Sequence, residues 1–165
     1  MTVEKAGRAV KAGKAGCSAA EAQPALPAPP ALPALKKMSD SPAVLSRVRD
    51  PKYVGWLPRD AADVGTGEAG SMERGTMMRM QVRVNGDTRQ IAEAVFKVFG
   101  CSAAIASASL VAERLHGASV GTVKDIEPLM IVAELQLPVE RANVAALAIA
   151  AANAAVEDWR RKWPG

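Results

Sequence analysis

Sulfur, imidazole and aromatic rings are all scarce in this chain: 2 cysteines, 1 histidine and 4% aromatic residues in 165. Cys17 and Cys101 lie 84 positions apart in regions of unlike character, which argues against a disulfide framework, and no CxxC pair marks a zinc site. No uninterrupted run of about 18 apolar residues occurs. The alanine-rich stretch after Asn143 is broken by Asn153, so no membrane span is expected. No general acid–base pair or nucleophile–histidine arrangement emerges, and an independent enzyme is not expected.

What is present is alanine, about a fifth of the chain, inside a hydrophobic content of 49%. A core of such residues implies small side chains on closely packed helices. The net charge is +4, and its location matters more than its size. Residues 1–40 carry six basic and three acidic side chains, whereas residues 41–165 carry 15 basic and 14 acidic ones. The body is therefore near neutral, and net charge makes no case for a basic nucleic-acid platform.

Two regions follow: a basic, Ala/Pro-rich tail over 1–40 and a domain over 41–165. Lys5, Arg8, Lys11 and Lys14 recur every three residues and resemble an organelle-targeting presequence, with a solvated tail as the plainer alternative. The segment holding Pro24, Pro27, Pro29, Pro30 and Pro33 favours an extended strap suited to a partner surface.

Ser41-Pro42 signals a short helix stopping before Pro51. Val64–Gly70 contains a lone GxG with no phosphate-loop continuation and reads as a weak edge strand. From Met78, alternation sends Met78, Met80, Val82 and Val84 inward and Arg79, Gln81 and Arg83 outward. Asn85-Gly86-Asp87 supplies a turn, and Ala94, Phe96 and Val98 share one face of the returning strand.

Helices follow Gly100: one capped by Ser102 and closed at His116-Gly117, a capping-box-like start at Thr122–Asp125, and a short helix from Pro128. A last helix over about 143–162 places Val144, Leu147, Ala151, Ala155 and Trp159 on one stripe. The expected class is α+β: a small antiparallel three-stranded sheet with helices on one face, plus an extended N-terminal tail.

The runs DPKYVG (50–55), DVGTGEAG (63–70), FKVFGCSAAIASASLVAE (96–113) and AELQLP (133–138), in this order, resemble the IscU/NifU iron–sulfur scaffold family, with its SufE/NifU-like fold. The resemblance implies assembly of a [2Fe–2S] cluster on three cysteines, aided by an aspartate and a histidine. It also implies sulfur supply by a cysteine desulfurase and a chaperone reading an LPPVK motif.

Carried over position by position, Arg74 stands at the first cysteine, Thr76 at the aspartate, Asn143 at the histidine and Val144 at the third cysteine; Cys101 alone remains. The chaperone motif reads LPVER, keeping Leu137-Pro138 and departing at Val139, Glu140 and Arg141. One thiolate does not satisfy two irons, and arginine offers donors only. No cofactor is therefore expected. Cys101 is either a packing residue at the strand–helix junction, the favoured account, or a ligand shared with a partner or a persulfide acceptor. Metal binding at His116 or at the cluster of Met72, Met77, Met78 and Met80 is disfavoured against packing. Trp159 and Trp163 beside Arg160, Arg161 and Lys162 suit a partner or lipid surface, although helix packing accounts for Trp159.

The expectation that leads is a non-catalytic structural subunit of a larger mitochondrial, matrix-side assembly, a respiratory complex or a ribosome, contacting other protein subunits. The alternative is an accessory or regulatory protein of cluster assembly, docking on the desulfurase with Cys101 as sole ligand; only there is a [2Fe–2S] cluster expected. A third reading is an RNA contact through the tail and Arg79, Arg83 and Arg89.

Overall fold

The computed structural model describes residues 40–164. The presequence-like segment and the proline strap of Pro24, Pro27, Pro29, Pro30 and Pro33 lie outside the described residues. The elements are α1 (Pro42–Arg49), β1 (Val64–Ser71), β2 (Thr76–Asn85), β3 (Gln90–Phe99), α2 (Ser102–Leu115), α3 (Pro128–Glu134) and α4 (Ala142–Lys162). The strands form one antiparallel sheet in the order β1-β2-β3, and the chain is α+β as expected.

Period-two alternation places Met78, Met80, Val82 and Val84 under the helices, all buried. A register shift at Arg83/Val84 passes over Ala92 and brings Ile91 opposite Val84, so Ile91 also enters the core. On the other face Arg79 and Arg83 reach solvent, but Gln81 is only 3% exposed, contrary to its expected outward position. The cause is the segment after Pro51, which returns across the sheet. The Leu57 N–H donates to Gln81 Oε1 (2.8 Å), and Gln81 Nε2 donates to the Leu57 carbonyl (2.8 Å) and Thr66 Oγ1 (3.0 Å). Leu57, Val64 and Val95 close a second, smaller core around this amide. Upstream, the Phe96 N–H donates to the Tyr53 carbonyl (2.9 Å) and Gly55 to the Phe96 carbonyl (3.2 Å), covering the outer edge of β3.

α4 lies on β1 with almost nothing between them. A Cβ at Gly65 would collide with the carbonyl oxygen of Ala155, and one at Gly67 with that of Ala151. The GxG motif is thus a strand whose missing side chains admit a helix. Ala145, Ala148, Ala151, Ala152 and Ala155 on α4 are wholly buried, while Leu147 of the expected stripe is half-buried beside Ala148. By length and composition the stretch Val139–Lys162 is apolar enough to cross a membrane, and Asn153 does not interrupt it: its Nδ2 donates to the Ile149 carbonyl (3.1 Å) within the helix. The apolar face itself packs on β1 and β2.

Two helix starts differ from expectation. Cys101, not Ser102, is the N-cap of α2, and Thr122–Asp125 is a single 3-10 turn with Gly121 at its cap. Ser41 does cap α1: its Oγ accepts from the Val44 N–H (3.2 Å) and donates to the Leu135 carbonyl, tying α1 to the end of α3. Arg47–Glu113 (2.5 Å) and Arg114–Glu134 add exposed ion pairs across α1, α2 and α3, which orient more than they stabilise.

The free edge of β1 is sealed by the last turn of α4. The Thr66 N–H donates to Asp158 Oδ2 (3.0 Å), and Lys162 Nζ donates to the carbonyls of Val64 (2.9 Å) and Arg59 (2.8 Å) while pairing with Asp158 (3.0 Å). Burial pushes the Asp158 carboxyl up. The Thr66 N–H, Lys162 and Arg161 outweigh it and hold it below its ordinary value.

Gly67→Ala is expected to cost about 1–3 kcal/mol through overpacking, read as a lower urea midpoint with unchanged m-value. A carboxyl lowered on folding adds stability that is full above its unfolded pKa and fades as pH falls through the folded one. Asp158→Asn should therefore flatten the acid limb of stability against pH; an unchanged limb would show that this clasp contributes nothing.

Candidate functional site

Cys101 sits where β3 ends and α2 begins. Extended at φ −79° and ψ 170°, it turns its carbonyl to the Ala104 and Ile105 N–H groups (2.9 and 3.2 Å) and leaves its side chain out of the cap. The thiol is half-buried. Arg141, which caps α4 and closes the LPVER segment, donates from Nη1 to Cys101 Sγ at 3.2 Å. The sulfur is thus approached by a fixed cation 40 positions away in sequence, which no local spacing announces. Reading the family motif had marked Arg141 only as a departure.

The remaining positions are brought together unevenly. Thr76 opens β2 next to the same junction: a Cβ at Gly100 would lie 3.2 Å from Thr76 Cγ2. Val144 is buried in the core cluster on which Cys101 packs. Asn143 is exposed in the first turn of α4, and Arg74 is exposed in the β1–β2 turn, where its N–H donates to Ser71 Oγ (3.3 Å). Among the described residues no group of three or more His, Cys, Asp or Glu side chains is placed to hold a metal ion.

Apolar side chains flank the thiol end. Phe99, two residues before Cys101, is 55% exposed, and with Met77, Arg79, Lys97 and Val98 it lines a shallow cavity of about 200 Å³. Met78 and Met80 belong to the core, as packing requires, and Met72 is exposed. His116 caps the far end of α2 with its ring 5.3 Å from that of Tyr53. Arg79 pairs with Glu68 (2.6 Å), which Arg59 also reaches (3.0 Å), and Arg83 pairs with Glu93 (2.7 Å) and Asp63 (3.3 Å).

The family model described as NifU-like N terminal domain matches residues 39–164. The chain belongs to this family. It is 40% identical over 125 residues to the iron-sulfur cluster assembly scaffold protein IscU of Rickettsia prowazekii, covering 76% of this chain and 95% of the relative. It is 36% identical over 121 residues to the mitochondrial iron sulfur cluster assembly protein 1 of Eremothecium gossypii, covering 73% of this chain and 79% of that one. The solved N-terminal NifU-like protein of Brucella abortus shares the fold, with a TM-score of 0.58 at 16% identity over 73% of this chain and 94% of its own.

These relatives overturn the expectation of a structural subunit in a respiratory complex or ribosome. The Rickettsia and Eremothecium relatives are both named for iron-sulfur cluster assembly. That expectation rests on a kept fold, changed side chains at four positions and an extended N-terminal tail. Family membership also leaves the compartment open, since bacterial and mitochondrial relatives match alike.

The Arg141 cation should be measurable at the thiol. The ratio of alkylation rates at Cys101 by anionic iodoacetate and neutral iodoacetamide, followed by mass spectrometry, is expected to fall about fivefold in Arg141→Gln. That corresponds to roughly 1 kcal/mol between close charges near water. An unchanged ratio would show that the guanidinium does not act on the sulfur.

Proposed function

We propose that this NifU-like chain serves iron–sulfur cluster assembly as an accessory of scaffold shape, engaging the sulfur-donating machinery and contributing Cys101 as its one sulfur ligand. The observation that carries this is the donor set at the site. One thiol faces Arg141 Nη1 at 3.2 Å, while threonine, arginine, asparagine and valine occupy the other positions implied by the resemblance.

A binuclear cluster takes four ligands, thiolates above all. Arginine donates only and valine has no donor atom, so these residues do not fit a cluster held by this chain alone. With a partner supplying the remaining ligands, the cluster is cargo shared between two proteins. Alternatively, the Cys101 thiolate takes the outer sulfur of a desulfurase persulfide and the desulfurase thiolate leaves. A cysteine desulfurase is the partner this reading requires. A mitochondrial matrix location is supported by the mitochondrial relatives and the basic, acid-poor N-terminus.

Purified protein given ferric iron, sulfide and a thiol to keep Cys101 reduced is expected to form no stable cluster absorbance. A variant carrying Arg74→Cys, Thr76→Asp, Asn143→His and Val144→Cys is expected to form one under the same conditions. A stoichiometric [2Fe–2S] spectrum from the unaltered chain would refute the proposal. Recovery of desulfurase on the immobilised chain, undiminished by Cys101→Ser, would support docking through the fold; failure to recover it counts against that half.

A further inference from the structure

Strand register aligns a charged and apolar patch on the sheet face opposite the helices. Glu68, Arg79 and Lys97 are successive partners across β1, β2 and β3, and Met77 and Phe99 form the next row toward Cys101. Alternation puts the side chains of both rows on the outer face, the rows about 7 Å apart. Lys97 therefore stands directly opposite Arg79, a like-charged pair of a kind that destabilises a sheet.

The charge of this patch does not close on itself. Glu68 is the one carboxylate of its row, and both Arg79 Nε (2.6 Å) and Arg59 Nη2 (3.0 Å) take it. Lys97 is exposed, and among the described residues no carboxylate lies within ion-pair distance of its ammonium group. Three cations thus share one anion.

Apolar surface stands on both sides of that row. Phe99 is 55% exposed, and with Met77 and Val98 it supplies the apolar lining of the 200 Å³ cavity that Arg79 and Lys97 also border. On the other side the next row is Gln81 and Val95. The segment crossing it places Gly55 within 3.5 Å of Val95 Cγ1, counted from a Cβ built there, and bonds Leu57 to Gln81. Trp56, between these two anchors, is 68% exposed. The cationic row runs between an exposed phenyl ring and an exposed indole.

Unbalanced cations select an acidic partner, and open aromatic rings beside them select apolar side chains on that same partner. We propose that this face docks an acidic segment of another protein, with a carboxylate on Lys97 and Arg79 and an apolar side chain in the cavity against Phe99. The Glu68 carboxylate within the row and the rings around it favour such a segment over a nucleic-acid backbone. The surface begins two residues before Cys101, and its recognition rests on charge and exposure whichever way the thiol is used.

The test is selection of phage-displayed random peptides on the immobilised full-length protein, the leading peptide then being measured by fluorescence anisotropy. The expected enrichment is Asp or Glu close to Phe, Leu or Trp, with an affinity that falls as salt rises. Lys97→Glu should weaken the peptide about tenfold, and Phe99→Ala should also weaken it about tenfold. Arg160→Glu, the same charge reversal in the last turn of α4, should leave it unchanged, and melting temperatures of the variants report that the fold is intact. Enrichment of peptides without acidic residues, no enrichment, or a Lys97→Glu variant that binds as the parent does would overturn the assignment. So would tighter binding of a single-stranded oligonucleotide than of the peptide, or a dimer in sedimentation that Phe99→Ala dissolves.

Discussion

Backbone against backbone, α4 rests on β1 where Gly65 and Gly67 leave no side chain in the way. The positions of the remaining parts follow from this approach. The helix has to present alanines, because any larger residue at Ala151 or Ala155 would hold it off the strand and empty the seam of dispersion contacts. Once seated, its two ends are determined. The first turn delivers Arg141 to the sulfur of Cys101, and the last delivers Asp158 and Lys162 to the open edge of β1. A helix displaced by one methyl group would weaken both ends together. The site and the edge seal are thus consequences of one contact made mainly of absent atoms.

Polar groups in this chain follow two different rules. The outer arginines and their carboxylates are wet, and pairs of that kind orient side chains at little net gain. Gln81 is the opposite case. Buried between Leu57, Val64 and Val95, it uses both halves of its amide on the Leu57 peptide and adds Thr66. Loss of such an amide leaves the Leu57 N–H and carbonyl without partners in an apolar place, a cost of about 1–3 kcal/mol for each. The segment over the outer face is therefore held by one side chain, and burial against Val95 finishes what that side chain begins.

Which parts were legible in the sequence depends on how far apart the interacting residues lie. The strand at Met78–Val84 and its turn at Asn85-Gly86 were readable, because alternation and turn chemistry are local. The cap at Ser41 was readable for the same reason. Gln81 was not: it alternates correctly, but its partner is 24 positions upstream. The glycines of β1 identified a strand, yet their purpose appears only when residues some 90 positions later arrive on top of them. Cys101 was visible as a lone thiol, and the Arg141 contact that gives it a chemical setting was not. Inferring the task from substituted positions failed for a further reason. Side chains at a site report what that site can bind alone, and say little about what a partner completes.

The separation of seam and site explains how the family fold coexists with an unusual donor set. Val144, which the resemblance sets at the third-cysteine position, is buried and adds apolar volume where α4 meets the core. Arg74 stands in an exposed turn and Asn143 on an exposed helix face, where substitutions normally move stability by only a few tenths of a kcal/mol. Arg74 and Asn143 lie away from the Gly65–Gly67 seam, so the fold is little affected by them. Cys101 differs from all three: half-buried, at the cap of α2, its sulfur engaged by Arg141. On the proposed reading, a scaffold shape with one presented thiol and an exposed apolar rim at Phe99 is suited to acting beside another protein.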